Sequence, residues 1–154
     1  MPLVQPVKSL GSAGRVIVAR IPEGHMVHEA LGELLRAQDI GFAVITGIGG
    51  LRKARIGYFK PGDAEYCVET VEARDGYTLE LAALSGNVFR HGDNYNIHLH
   101  AVIGIRPGNV RAGHLVEAEA WPFVEVQLIE VLGVDSERVY SARLQVSPRF
   151  RECG

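Results

Sequence analysis

The chain has 154 residues, 47% of them hydrophobic, with 16 Lys and Arg against 18 Asp and Glu and a formal net charge of −2. That length suits one domain over residues 1–154, with its core between about 15 and 146, and lets the chain hide roughly 70% of its unfolded surface. The pI near 6.3 lacks the basic excess of a free-standing nucleic-acid binder, and no apolar run approaches the roughly 20 residues of a membrane span.

After a short lead ending at Gly14, the run from Arg15 to Arg20 is rich in β-branched residues and reads as a strand. Pro22, Glu23 and Gly24 turn the chain. From His25 to Gln38 the apolar residues Met26, Val27, Ala30, Leu31, Leu34 and Leu35 recur at the helical period and form one stripe. Gly41 ends that helix, and Phe42 to Thr46 is strand-like again, so the first third reads β-α-β.

Beyond Gly47 no second helix is evident. Strands are expected at 55–59, 66–72, 77–89, 96–103, 114–119, 123–131 and 139–146, separated by turn-forming groups such as Arg74-Asp75-Gly76 and Arg106-Pro107-Gly108-Asn109. The fold class is therefore α+β, a mostly antiparallel sheet with one main helix packed on it. The other sheet face needs cover, by barrel closure or by another copy of the chain, which favours homo-oligomers. The tail from Ser147 to Gly154 is expected to fray.

Cys67 and Cys153 lack metal-clip spacing, and the N-terminus lacks the apolar stretch of a secretory signal. Two free thiols in a reducing cytoplasm is the expectation. Arg52, Lys53 and Arg55 form a small basic cluster, read as a solvated strand edge.

His98-Leu99-His100 places two imidazoles on one face of a strand. A bare pair of this kind is more often two satisfied polar side chains than a chelate. The Pro107-Gly108 turn, however, returns His114 toward the same face, giving three nitrogen donors and an open fourth position, as catalytic zinc sites have. Neutral imidazoles suit zinc, copper, nickel or iron(II). His25 and His28 are read as helix-surface residues and His91 as a loop residue. Glu69, Glu72, Glu80 and Glu125 are candidates for a base or supporting carboxylate, each more simply a solvated or ion-paired side chain. No catalytic residue is assigned. Thr46-Gly47-Ile48-Gly49-Gly50-Leu51 is no dinucleotide loop, because Arg52 stands where the last glycine belongs and a strand follows. Its glycines fit a tight turn or close backbone approach.

Thr46–Leu51, Ile56-Gly57-Tyr58-Phe59, Leu84-Ser85-Gly86-Asn87, His98-Leu99-His100, Gly113-His114-Leu115 and Glu125-Val126, in that order, resemble the plants-and-prokaryotes-conserved (PPC) domain. The resemblance spans about Arg15 to Leu132. It implies an α+β sheet domain, a homotrimer, and His98, His100 and His114 as ligands of a divalent metal such as zinc. Ala112-Gly113 replaces the family's usual Gly-Gly, and Tyr77–Ala82 keeps only Glu80 of the plant partner-binding segment. The Arg-Gly-Arg-Pro core of the plant AT-hook is missing. Two functions follow: a cytoplasmic trimeric metalloprotein that binds or acts on a small molecule, or a non-catalytic DNA-binding or regulatory module.

Overall fold

The computed structural model describes residues 8–144 and 148–154, except that the side chains of 141–147 are not described. In chain order the elements are β1 (Ser12–Pro22), α1 (Val27–Ala37), β2 (Phe42–Lys60), β3 (Glu65–Glu72), β4 (Leu79–His91), β5 (Asn94–Arg106), β6 (Asn109–Leu132), α2 (Ser136–Leu144) and β7 (Arg149–Glu152). The expected β-α-β start is present in split form. β1 and β2 both run antiparallel to β6, which lies between them.

β6, 24 residues long, organises the sheet. It pairs with β1, β2 and β5, while β4 joins β5 to β2. The ring β2-β4-β5-β6 therefore closes on itself, removing most free strand edges. Ile45, Leu84, Val88, Leu99, Ile103, Val126 and Leu128 belong to one buried cluster. Val27, Leu31 and Leu35 of α1 join it, each removing about 1.5–3 kcal/mol worth of apolar surface from water.

The helix end is fastened by side chains. The Tyr95 hydroxyl donates to the carbonyls of Ile40 (2.8 Å) and Leu35 (3.2 Å). Arg15 Nη2 donates to the Gln38 carbonyl at 2.8 Å, satisfying another group that a helix terminus leaves open.

Several expectations need correction. Phe42–Thr46 and 55–59 are one strand, because Gly47 and Gly49 are not turn residues but points where β2 crosses closely over β6. A Cβ at Gly47 would lie 2.7 Å from the Glu125 carbonyl oxygen, and one at Gly49 2.5 Å from that of Phe123. Likewise 114–119 and 123–131 merge into β6. The expected strand at 139–146 is α2 up to Leu144, and residues 145–147 lie outside those described. The chain leaves the sheet after Leu132, and Asp135 Oδ1 accepts the Arg138 backbone N–H, as a helix-starting residue does. The tail does not fray. Over 149–152 it forms β7, parallel to β3. Cys67 and Cys153 are not free thiols but a disulfide, Cα atoms 4.9 Å apart, so thiol chemistry gives no support to a reducing compartment. Among the described residues no helix is long and apolar enough to cross a membrane.

Arg15 also grips Glu130. Its Nε reaches Oε2 at 2.8 Å, its Nη2 reaches Oε1 at 2.9 Å, and its backbone N–H reaches Oε2 at 3.1 Å. These bonds hold the Glu130 carboxyl down at about 2, from an ordinary 4.5. A carboxyl lowered on folding adds stability above its unfolded pKa and loses it as pH falls through the folded one. The increment from Glu130 should thus be complete above about pH 4.5 and vanish toward pH 2. Glu130→Gln should be less stable than the parent near neutrality, with the difference closing across that window. Urea unfolding from pH 7 to 2 checks this.

Candidate metal centre

The three histidines arrive on two adjacent strands. On β5, Leu99, Ala101 and Ile103 are buried in the core, so His98 and His100 take the opposite face. The β5–β6 turn is a two-residue loop with Pro107 first and Gly108 at φ +77°, the chemistry of a tight turn that needs a left-handed second residue. Counted from the Arg106–Asn109 pair alone, the register would set Leu115 opposite His100. A bulge between Gly104 and Arg106 leaves Ile105 as the extra residue and shifts the pairing by one. His100 then faces His114, and Leu115 enters the core.

The result is a compact donor set. The ring centroids lie 5.1 Å apart for His98–His100, 5.2 Å for His98–His114 and 5.6 Å for His100–His114. One ligand nitrogen from each falls within 4.8 Å of the others, and among the described residues this is the only such group of three or more His, Cys, Asp or Glu. A tetrahedral zinc ion at its usual bond lengths needs nitrogens about 3.3 Å apart. Ring rotation on staggered side chains closes that difference, so the donors fit a borderline-soft divalent ion.

Asn87, at the end of the Leu84–Asn87 string, pairs directly with His98 across β4 and β5. Its Oδ1 is buried and has no hydrogen-bond partner. Such an acceptor is costly to leave unmade, and a donor brought into the centre would satisfy it. Gly86 permits this close pairing, since a Cβ there would overlap the His98 carbonyl.

His114 also stacks on Tyr66 of β3, centroids 4.7 Å apart and planes 28° apart. The register explains how a residue two strands away reaches it. His114 pairs with Gly57 of β2, and the Tyr66 ring lies over Gly57, 2.9 Å from where a Cβ would stand. Neither Asn87 nor Tyr66 is a candidate site residue by sequence, although Asn87 ends the Leu84-Ser85-Gly86-Asn87 string of the family resemblance. The glycine of Ile56-Gly57-Tyr58-Phe59 was the only trace of the stack.

The other candidates lie elsewhere. His25 is exposed against the Glu23 carbonyl, and His91 Nδ1 sits 3.0 Å from Glu137. His28, expected on the surface, is partly buried on α1. Its Nδ1 lacks a hydrogen bond, and burial pushes its pKa below the usual 6.5, with Glu117 opposing. Glu69 accepts Arg111 Nε on both oxygens at 2.9 Å, Glu72 pairs with Lys53, and Glu125 pairs with Arg20. Glu80 lines a separate cleft of about 830 Å³ with Tyr77, Arg74 and Arg106. None of the four carboxylates belongs to the histidine group.

Residues 8–132 match the Plants and Prokaryotes Conserved domain, and the chain belongs to that family. It is similar in structure to a plant- and prokaryote-conserved protein from Pyrococcus horikoshii, with 34% identity and TM-score 0.75 over 82% of this chain and 85% of that one. A metal-containing protein from Archaeoglobus fulgidus is similar at 29% identity and TM-score 0.75, covering 82% and 86%. A protein from Bacteroides thetaiotaomicron, provisionally named as DNA-binding, shares the fold at 22% identity and TM-score 0.68, covering 78% and 83%. Comparison with curated proteins gave no match.

Gly57→Ala tests how the stack is built. The added methyl should push Tyr66 off His114, costing about 1–3 kcal/mol as overpacking does. Urea unfolding gives the loss, and the His114 ring-proton NMR shifts should move as the ring current of Tyr66 is withdrawn.

Proposed function

We propose that the chain is a homotrimeric metalloprotein in which His98, His100 and His114 hold one divalent ion, zinc being the best fit to three imidazoles, for binding or transforming a small molecule. The observation that carries this reading is the convergence of three ligand nitrogens within 4.8 Å on one sheet face. The metal-containing relative from Archaeoglobus fulgidus supports it. When bound, such an ion polarises a substrate carbonyl or lowers the pKa of its bound water toward about 7. The chain's own part is to orient what enters. Asn87 Oδ1, unpartnered beside His98, would accept a hydrogen bond from a donor brought into the site, and Val102, next on the same face of β5, gives the site an apolar border.

The trimer draws support from a second surface. Val16 and Val18 of β1 are 68% and 74% exposed, and Val44, Ile48 and Ile129 are exposed on the strands beside them. An apolar patch of this kind marks an association site.

Protein purified without a metal-affinity tag should contain stoichiometric metal by elemental analysis, falling to trace in His98→Ala. Trace metal in both would overturn the site. Sedimentation should give three times the 16.8 kDa chain mass. A monomer mass unchanged with concentration would overturn the assembly.

The names of distant relatives favour a second reading, DNA binding. Against it, Arg52 pairs with Glu23 and Glu119, Lys53 with Glu72, and Arg55 with Glu117 and Glu152, leaving this basic cluster little charge for phosphates. A gel-shift series should show no retardation even at low salt. Retardation that weakens steeply as salt rises would favour the second reading.

A further inference from the structure

The C-terminal strand β7 lies beyond the matched residues 8–132, yet it reaches the histidine centre through two aromatic rings. Phe150 pairs with Tyr66 across β3 and β7 and stacks on it, centroids 5.3 Å apart and planes 9° apart. Tyr66 stacks in turn on His114. The rings form a continuous column, Phe150–Tyr66–His114, lying across the side-chain gap at Gly57.

One covalent tie, the Cys67–Cys153 disulfide, reinforces the pairing of β7 with β3. The strand is four residues long and exposed along its length, so it buries little surface of its own. Its non-covalent ties include a four-residue parallel ladder to β3, the Arg149 N–H to the Ala64 carbonyl at 3.1 Å, the Cys153 N–H to the Val68 carbonyl at 2.9 Å, Arg149 Nη2 to the Asp63 carbonyl at 3.4 Å, and surface ion pairs Arg151–Glu65 and Arg55–Glu152. Exposed pairs of this sort add little to stability. The Cys67–Cys153 disulfide, one residue beyond Tyr66 and one beyond Glu152, is the tie that does not exchange with water.

We propose that β7 is a redox-sensitive strap. The oxidation state of Cys67 and Cys153 sets whether Phe150 holds Tyr66 against His114, and thereby sets the affinity of the centre for a divalent cation. Phe150 and Tyr66 are positioning residues, acting on the cation only through His114. The affinity part rests on the metal reading above. Reduction needs an external dithiol. It delivers two electrons and two protons, the Cys67–Cys153 sulfur–sulfur bond breaks, each sulfur leaves as a thiol, and the dithiol closes to its own disulfide. The freed tail then keeps only its ladder to β3 and its surface ties. An imidazole no longer packed from one side spends more of its time away from the ligand geometry, which costs affinity.

The test uses the full chain. Zinc affinity is measured by competition with a chromophoric chelator for the oxidised parent, for the double variant Cys67→Ser with Cys153→Ser, and for Phe150→Leu and Phe150→Tyr. Serine avoids the confusion of zinc binding to reduced thiols. Phe150→Leu keeps the disulfide and removes the ring, while Phe150→Tyr keeps both. The double variant and Phe150→Leu should bind zinc at least fivefold more weakly than the parent, and Phe150→Tyr should match it. Equal affinities in all four would overturn the strap. The second readout needs no metal: dithiothreitol added to the metal-free parent should shift the His114 ring-proton resonances, and unchanged shifts would also overturn it. An oxidised parent that binds no zinc overturns the metal reading and the affinity part with it, while shifting His114 resonances would still establish the mechanical coupling.

Discussion

The pairing register of β6 is the constraint on which the molecule depends. Twenty-four residues of one strand serve β5 near the start, β2 through the middle and β1 near the end. A strand shared in this way cannot slip locally, because a one-residue shift against any neighbour turns its core side chains to solvent. The adjustments are made by bulges, among them Ile105 of β5 against β6, the Gly47–Gly49 step of β2 against β4, and the step near Arg15 of β1 against β6. Each coincides with something specific, namely the entry of His114 into the histidine face, the close crossing of β2 and β6, and the grip of Arg15 on Glu130. The bulges decide which side chains meet.

This explains what could be read in advance. The apolar stripe of α1 and the alternation of Ile97, Leu99 and Ala101 against His98 and His100 are local patterns, and both survive in the structure. The Pro107-Gly108 turn is local as well, and it places His114 on the proper strand. The bulge at Ile105 leaves no residue signature, so the pairing of His100 with His114 rested on the three histidines themselves. Asn87 and Tyr66 were out of reach because their roles come from neighbours across the sheet. The tail was misread because β7 is short and polar. It depends on Cys67, 86 residues away, and not on its own propensity.

Charge follows the same economy. Arg52, Lys53 and Arg55 look like a basic cluster in one dimension, but the register lays Glu72, Glu117 and Glu119 beside them. Cross-strand pairs of opposite charge support the sheet. They also lower the potential that would draw a polyanion. The histidine face, by contrast, has the uncharged Ser85 and Asn87 as its neighbours across β4. A cation brought there meets imidazole nitrogens and an amide oxygen.

The same disulfide has a meaning for the unfolded chain. Residues 67 and 153 enclose β4, β5, β6 and α2 in one covalent loop, and His98, His100 and His114 all lie inside it. Closing a loop of that length removes denatured-state entropy worth on the order of 4 to 5 kcal/mol in the chain-entropy treatment. While the disulfide is closed, the three imidazoles are held inside that loop. In the denatured ensemble of the oxidised chain they diffuse within a tethered ring, so fewer chain conformations separate them before the sheet re-forms.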